Sequence, residues 1–216
     1  MLIRMEGHGR EQYVVPGADL SRTVGWFTTI FPVRVDLAGV DLDDALAGGP
    51  AMGRAVKVVK EQLRAVPGDG HGYGMLRYLN PSTAPALAAG PVPQIGFNYL
   101  GRAAGRGEDG MWSPAPDAPT VAPRDPRMPA AHALDLNAVA VDRGSGPQLQ
   151  ASWTWPAGLL DADWVERLAE AWFEALRAIV AHAALPGASG LTPSDLSLEL
   201  DQDEIESLEA ELGILL

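Results

Sequence analysis

A carboxylate, an imidazole, a guanidinium and a second carboxylate stand close together in the run Glu6-Gly7-His8-Gly9-Arg10-Glu11. On an extended segment Glu6 and His8 share a face, because side chains alternate with a period of two. Such a pair could suggest a metal site. Metal sites need three or four ligands, and no third ligand stands nearby, so no metal is expected. A glutamate can act as a general acid or base if burial or a neighbouring charge lifts its pKa towards neutrality. The plainer reading is that Glu6 ends a strand as a solvated carboxylate. Arg10 offers a rigid guanidinium that could hold a carboxylate or steady developing negative charge. A surface ion pair with Glu11 is its plainer role.

Asn98 and Tyr99 are consecutive in a β-like run. On a strand they point to opposite faces, so only one can face a given cleft directly. Tyr99 could donate to an oxyanion or take part in proton transfer, or be an ordinary core tyrosine. His71 lies in the stretch Gly70-His71-Gly72-Tyr73-Gly74. That stretch lacks the Gly-Lys-Ser/Thr ending of a phosphate loop, so nucleotide binding is not expected. Ser152 and Thr154 have no His/Asp arrangement to make either a nucleophile. The chain has no cysteine, which excludes disulfides, thiolate metal sites and a cysteine nucleophile. It also fits a reducing cytoplasm.

The elements that must position these groups are partly legible. Residues 1–6 read as a short strand. Residues 26–37 are rich in aromatic and β-branched side chains and read as a strand region. Pro32 cannot donate to a ladder, so it implies an edge, a bulge or a break. Residues 51–65 read as a helix with Met52, Val56, Val59 and Leu63 on one side, and Arg54, Lys57, Lys60 and Glu61 on the other. Pro67 and Gly68 stop it. A short helix after Pro81 and a strand from Ile95 to Leu100 follow. Residues 101–131 read as a long irregular loop. The alternating runs Leu134–Asp142 and Gln148–Trp155 form a hairpin. Asp161–His182 is a helix with acids at its start and a stripe of Leu168, Trp172, Leu176 and Ile179. A linker leads to a last helix near Asp201–Leu212, where Asp201 and Glu204 have capping-box spacing. Of the six tryptophans, Trp153, Trp155, Trp164 and Trp172 are assigned to packing. The class is mixed α/β.

Charge narrows the partners. The 216 residues carry a formal net charge of -12, which argues against nucleic acid. No run of apolar residues is long enough to span a membrane, and the opening residues do not read as a signal peptide. No Lys or Arg follows Arg177. The acidic end reads as a solvated helix or as a docking element for a basic partner surface.

Four segments, in order, carry a resemblance. They are Glu6–Glu11, Arg22-Thr23-Val24-Gly25-Trp26-Phe27-Thr28, Gly70–Gly74 and Phe97-Asn98-Tyr99-Leu100-Gly101. The chain resembles the epimerization domains of nonribosomal peptide synthetases, within the condensation-domain superfamily. Softer similarity runs through the hairpin, the 161–182 helix and Thr192-Pro193-Ser194-Asp195. The resemblance implies an α/β fold, a two-layer sandwich like one lobe of chloramphenicol acetyltransferase. Residues 1–190 would be the C-terminal portion of that domain, and 191–216 an acidic linker and terminal helix.

The family inverts the Cα of an aminoacyl or peptidyl thioester. The substrate arrives on the phosphopantetheine arm of a peptidyl carrier domain, and no cofactor is bound directly. The resemblance makes Glu6 one acid/base and gives Tyr99, Asn98 and Arg10 supporting roles. It sets His8, Gly9, Trp26, Gly72 and Tyr73 near the arm or the tunnel. Gly7 and Gly9 would let the backbone pass close to the arm, and Trp26 and Phe27 are read as core residues near the tunnel floor. The family's His-His-x-x-x-Asp-Gly motif is not in this sequence. An N-terminal lobe carrying it is therefore expected as a partner, along with a downstream synthetase at the acidic helix. A lobe without its opening elements is expected to be marginally stable and inactive alone. A condensation domain and a non-catalytic carrier-docking module are the alternatives.

Overall fold

A computed structural model describes residues 1–103, 128–143 and 145–212. Most of the 101–131 loop reading lies outside the described residues. Five strands, β1 (Leu2–Gly7), β2 (Thr29–Arg34), β3 (Ile95–Ala103), β4 (Leu134–Arg143) and β5 (Gly146–Thr154), form one sheet in the order β2-β1-β3-β4-β5. The inner pairs β1–β3 and β3–β4 are parallel, and the outer pairs are antiparallel. β2 is an edge strand, which is where Pro32 can sit without breaking a ladder. The helices are α1 (Leu42–Leu46), α2 (Pro50–Arg64), α3 (His71–Gly74), α4 (Ala84–Ala88), α5 (Ala162–Ala183) and α6 (Gln202–Leu212).

Strand register divides the sheet into two chemically different faces. Arg4 pairs with Pro32 and Gly96, Gly96 with Asp135, and Asp135 with Thr154. By alternation, Arg4, Glu6, Asn98, Asp135, Asn137 and Ser152 share a mostly polar face. The other face carries Phe31, Val33, Leu134, Leu136 and Ala138, all buried. Helix α5 packs on that apolar face, where the Trp153 and Trp172 rings meet edge-on at 6.0 Å. Ala45, Met52 and Ala178 close a small core where α1, α2 and α5 meet. The result is a two-layer α/β sandwich with one polar sheet surface.

The ends of α5 and α6 follow from local chemistry. The Asp161 carboxylate accepts from the Asp163 and Trp164 amides and caps α5. At α6, Asp201 accepts from the Glu204 amide while Glu204 accepts from the Asp201 amide, a reciprocal capping box.

Several expectations change. Val56 is exposed and Trp164 is 44% exposed, so neither is a core residue. The charged side of α2 meets the C-terminal segment. Lys57 pairs with Glu206 at 3.1 Å, Lys60 pairs with Asp195, and Glu61 accepts from the Ser194 hydroxyl at 2.6 Å. Ile205 of α6 is fully buried, as is Thr192, whose amide and hydroxyl both bond Asp195. The acidic helix therefore rests on the basic side of α2. The Gly-rich stretch becomes helical from His71: after a turn at Pro67–Gly70, where Gly68, Asp69 and Gly70 take positive φ, come α3 and one π-helical turn at Met75–Leu79. Glycines disfavour helix, so tertiary packing decides here. Gly70 adopts φ 81° and lies against the Phe31 ring, where a Cβ would collide. No helix among the described residues is long and apolar enough to cross a membrane.

Two outcomes are expected. Asp161→Ala removes the α5 cap and lowers unfolding stability by about 1 kcal/mol, read by urea denaturation. The Lys60 ammonium, followed by the Thr192 amide, holds the Asp195 carboxyl below its ordinary value, at about 2. A depressed carboxyl stabilises the fold above its unfolded-state pKa, and that contribution fades as pH falls through the folded value. Amide exchange in α6 should therefore accelerate between about pH 4 and pH 2. In Lys60→Met that pH step should shrink and move upward.

Candidate active site

The site begins where β1 runs out. Arg4 and Glu6 project from its polar face, one alternation apart. Asn98 lies on the neighbouring strand one step beyond the last paired residues, Met5 and Phe97. Register alone brings Glu6 and Asn98 side by side, although 92 positions separate them in sequence. They share a cleft with His8, Arg10, Val24, Trp26, Phe27, Thr28 and Leu100. Its open volume is about 690 Å³. A second, smaller hollow of about 70 Å³ lies between Glu6, Arg4, Asn98, His132, Asp135 and Asn137. A third, of about 600 Å³, continues past Arg4 and His132 towards Tyr73, Arg77 and Tyr78. Arg4 and Glu6 are shared walls, so the polar face carries one continuous trough.

Hydrogen bonds fix several of these groups. His8 Nε2 lies 2.7 Å from Asn98 Oδ1, and Thr28 Oγ1 lies 3.3 Å from His8 Nδ1. If His8 Nε2 donates to the amide oxygen, its Nδ1 is left to accept from Thr28. His8 thus ties the loop after β1 to β3 and to the residue that precedes β2. The Glu6 carboxylate makes no hydrogen bond or ion pair among the described residues. It is half-buried, with both oxygens available to a third group.

Arg10 acts otherwise than the sequence suggested. Its Nη1 donates to the Leu20 and Thr23 carbonyls at 2.7 and 2.5 Å, and its guanidinium lies 4.6 Å over the Phe27 ring. Arg10 clamps the 11–27 loop into the wall of the cleft, rather than holding a carboxylate. Trp26 is 90% exposed at the rim, so it is not a core residue. Tyr99 does not line the cleft. The alternation that turns Asn98 towards Glu6 turns Tyr99 to the opposite face, and a proton-transfer role for it finds no support in this geometry.

The glycines also divide. A Cβ on Gly7 would meet Thr29 Oγ1 and the Phe31 ring, so its bareness serves the packing of β2. A Cβ on Gly9 would meet only the Glu11 side chain, and one on Gly72 would meet nothing. Tyr73 lines the outer hollow past Arg4. The loop is tied down a second time where the Tyr13 hydroxyl donates to Asp69 at 2.8 Å. Asp69, then Glu11, push the Tyr13 phenol well above its ordinary pKa. Glu11 and Asp69 both adopt positive φ, 44° and 50°, a strain that the tertiary clamp must hold.

Sequence reading missed the cluster of Arg4, His132 and Asp135. Arg4 Nη1 lies 3.2 Å from His132 Nε2, and His132 Nδ1 lies 2.6 Å from Asp135 Oδ1. The spacing His132-x-x-Asp135 was the only signal, and it is common by chance.

A family profile described as the condensation domain matches residues 1–199. The chain belongs to the condensation-domain family. It is 40% identical over 215 residues to a linear gramicidin synthase of Brevibacillus parabrevis, covering 95% of this chain and 4% of that one. It is 40% identical over 205 residues to bacitracin synthase 3 of Bacillus licheniformis, covering 94% and 3%. The 216 residues thus span a small fraction of the curated relatives. Among solved structures, the epimerization domain from the third module of tyrocidine synthetase B aligns with a TM-score of 0.65 and 28% identity. That alignment covers 84% of this chain and 38% of that one. The mixed α/β sheet with its helical layer is the fold of this condensation and epimerization family, like that of chloramphenicol acetyltransferase.

The clamp makes a testable claim. Arg10→Met should leave the sheet intact but speed amide exchange in residues 11–27 by about tenfold or more, since charge-assisted bonds to two carbonyls are lost.

Proposed function

We propose that this chain supplies one side of an epimerization site acting on a carrier-bound aminoacyl or peptidyl thioester, with Glu6 as the acid/base on that side. The observation that carries the reading is the unpaired Glu6 carboxylate beside Asn98, on the polar face of a sheet whose solved relative is an epimerization domain.

The Cα–H beside a thioester carbonyl is a weak acid. Inversion needs a base on one face of the carbanion, a proton donor on the other, and a group that stabilises the enolate oxygen. Glu6 removes or returns the proton on its face. The Asn98 amide, oriented by His8, is the neighbouring polar group available to the enolate or the thioester. The opposite acid/base comes from outside these 216 residues, from the lobe that carries the family's His motif. The substrate reaches the trough on the phosphopantetheine arm of a peptidyl carrier domain, passing the rim at Trp26. The acids of α6 not engaged by α2, Asp203 and Glu211 among them, are available to a basic surface of a following synthetase. Peptide-bond formation is the second reading, because the family profile that matches residues 1–199 is that of the condensation domain.

The test joins this chain to the N-terminal lobe of an epimerization domain and follows inversion of a carrier-bound aminoacyl thioester. Inversion is expected, with Glu6→Gln slowing it by about a hundredfold or more. The 216-residue chain alone should give none. Inversion untouched by Glu6→Gln removes Glu6 from the mechanism. Peptide-bond formation in place of inversion selects the second reading.

A further inference from the structure

We propose that His132, braced by Asp135, is a positioning residue that draws the Arg4 guanidinium away from Glu6 and keeps the Glu6 carboxylate unpaired. This rests on the reading of Glu6 as the proton-transfer group, and it deepens that reading.

Arg4 and Glu6 stand two residues apart on the same face of β1, about 6.5–7 Å along the strand. An arginine stem easily spans that distance, so an ion pair is the default expectation. Such a pair would stabilise the charged carboxylate and occupy the oxygens that must meet the Cα–H. The geometry avoids it. Arg4 Nη1 points to His132 Nε2 at 3.2 Å. An arginine can only donate, so Nε2 must accept, and the ring proton must sit on Nδ1. Nδ1 in turn donates to Asp135 Oδ1 at 2.6 Å. Asp135 therefore selects the tautomer that can receive Arg4. The His132 side chain is only 8% exposed and that of Asp135 18%, so the brace is built into the sheet surface. Gly96 confirms the fit independently: a Cβ there would collide with both Asp135 Oδ1 and His132 Nδ1. The absence of a side chain on β3 is what lets the pair lie flat across the strand. All three groups border the same small hollow as Glu6.

A double-mutant cycle on the 216-residue chain tests this without any turnover. Arg4→Met, Glu6→Gln and their combination are unfolded in urea at low salt and about pH 8, where an ordinary imidazole is neutral. With His132 in place, the unfolding constants should combine to within about 1.5-fold of additivity. In a His132→Leu background, which keeps bulk but removes the acceptor, Arg4 should fall back on Glu6 and the coupling should reach about threefold or more. His132→Gln, whose amide oxygen can accept from Arg4, should restore near-additivity. If His132→Leu does not fold, Gly96→Ala displaces the same pair from beneath and should raise the same coupling. Equal coupling in all backgrounds overturns the proposal, and so does strong coupling with His132 present. The cycle reads only where Arg4 goes. The role of Glu6 is read separately by inversion in the joined protein, so failure of one is distinguishable from failure of the other.

Discussion

Everything at the site depends on the register with which β1 is inserted between β2 and β3. Arg4 opposite Gly96 and Pro32 sets which side chains of three strands rise on the same face. A slip of one residue would send Glu6 into the apolar layer and Met5 into the trough. Register is held from the apolar side, where Phe31, Val33 and Leu136 are buried. The apolar layer thus determines where the polar groups stand. The same constraint explains the bare Gly7 and Gly96, which sit where neighbouring strands or loops need the space.

On that platform the polar groups are sorted by competition for partners. Arg10 is taken up by backbone carbonyls and the Phe27 ring, His8 by Asn98 and Thr28, and Arg4 by His132. Glu6 is left with none among the described residues. A carboxylate that must exchange protons needs that isolation, because a bonded guanidinium would favour its charged form. Of the cationic or potentially cationic side chains along the trough, Arg4, His8 and Arg10 stand on or just after β1, and the structure gives each of them other work. The strained backbone at Glu11 and Asp69, bridged through Tyr13, belongs to the same set of fixed positions.

The C-terminal segment shows the same principle at a distance. Its acids looked like a solvated run, yet Asp195 and Glu206 meet Lys60 and Lys57. Burial of Ile205 and Thr192 supplies the anchor, and the ion pairs orient it. Exposed pairs contribute little energy by themselves. Their part is to select which side of α2 the helix lies on.

The sequence by itself determined the strands with alternating or β-branched runs, and helices α2, α5 and α6 with the acids at the start of α5 and the Asp201–Glu204 cap; of the edge, bulge or break that Pro32 allowed, the sheet order selected the edge. It also determined the family, because four short motifs stand in order. These are local signals: period, capping chemistry and residue identity are all carried by neighbours in the chain. It determined too that Asn98 and Tyr99 could not both face one cleft, but not which of them would. Tertiary structure decided that for Asn98, since only strand register relates position 98 to position 6. It decided that Arg10 clamps a loop, that Trp26 is exposed and that residues 71–79 are helical, since each outcome depends on what lies opposite. It alone joined Arg4 to His132, 128 residues away. A hydrogen bond needs partners within about 3 Å, and no pattern along one chain records which distant side chains the fold will bring that close.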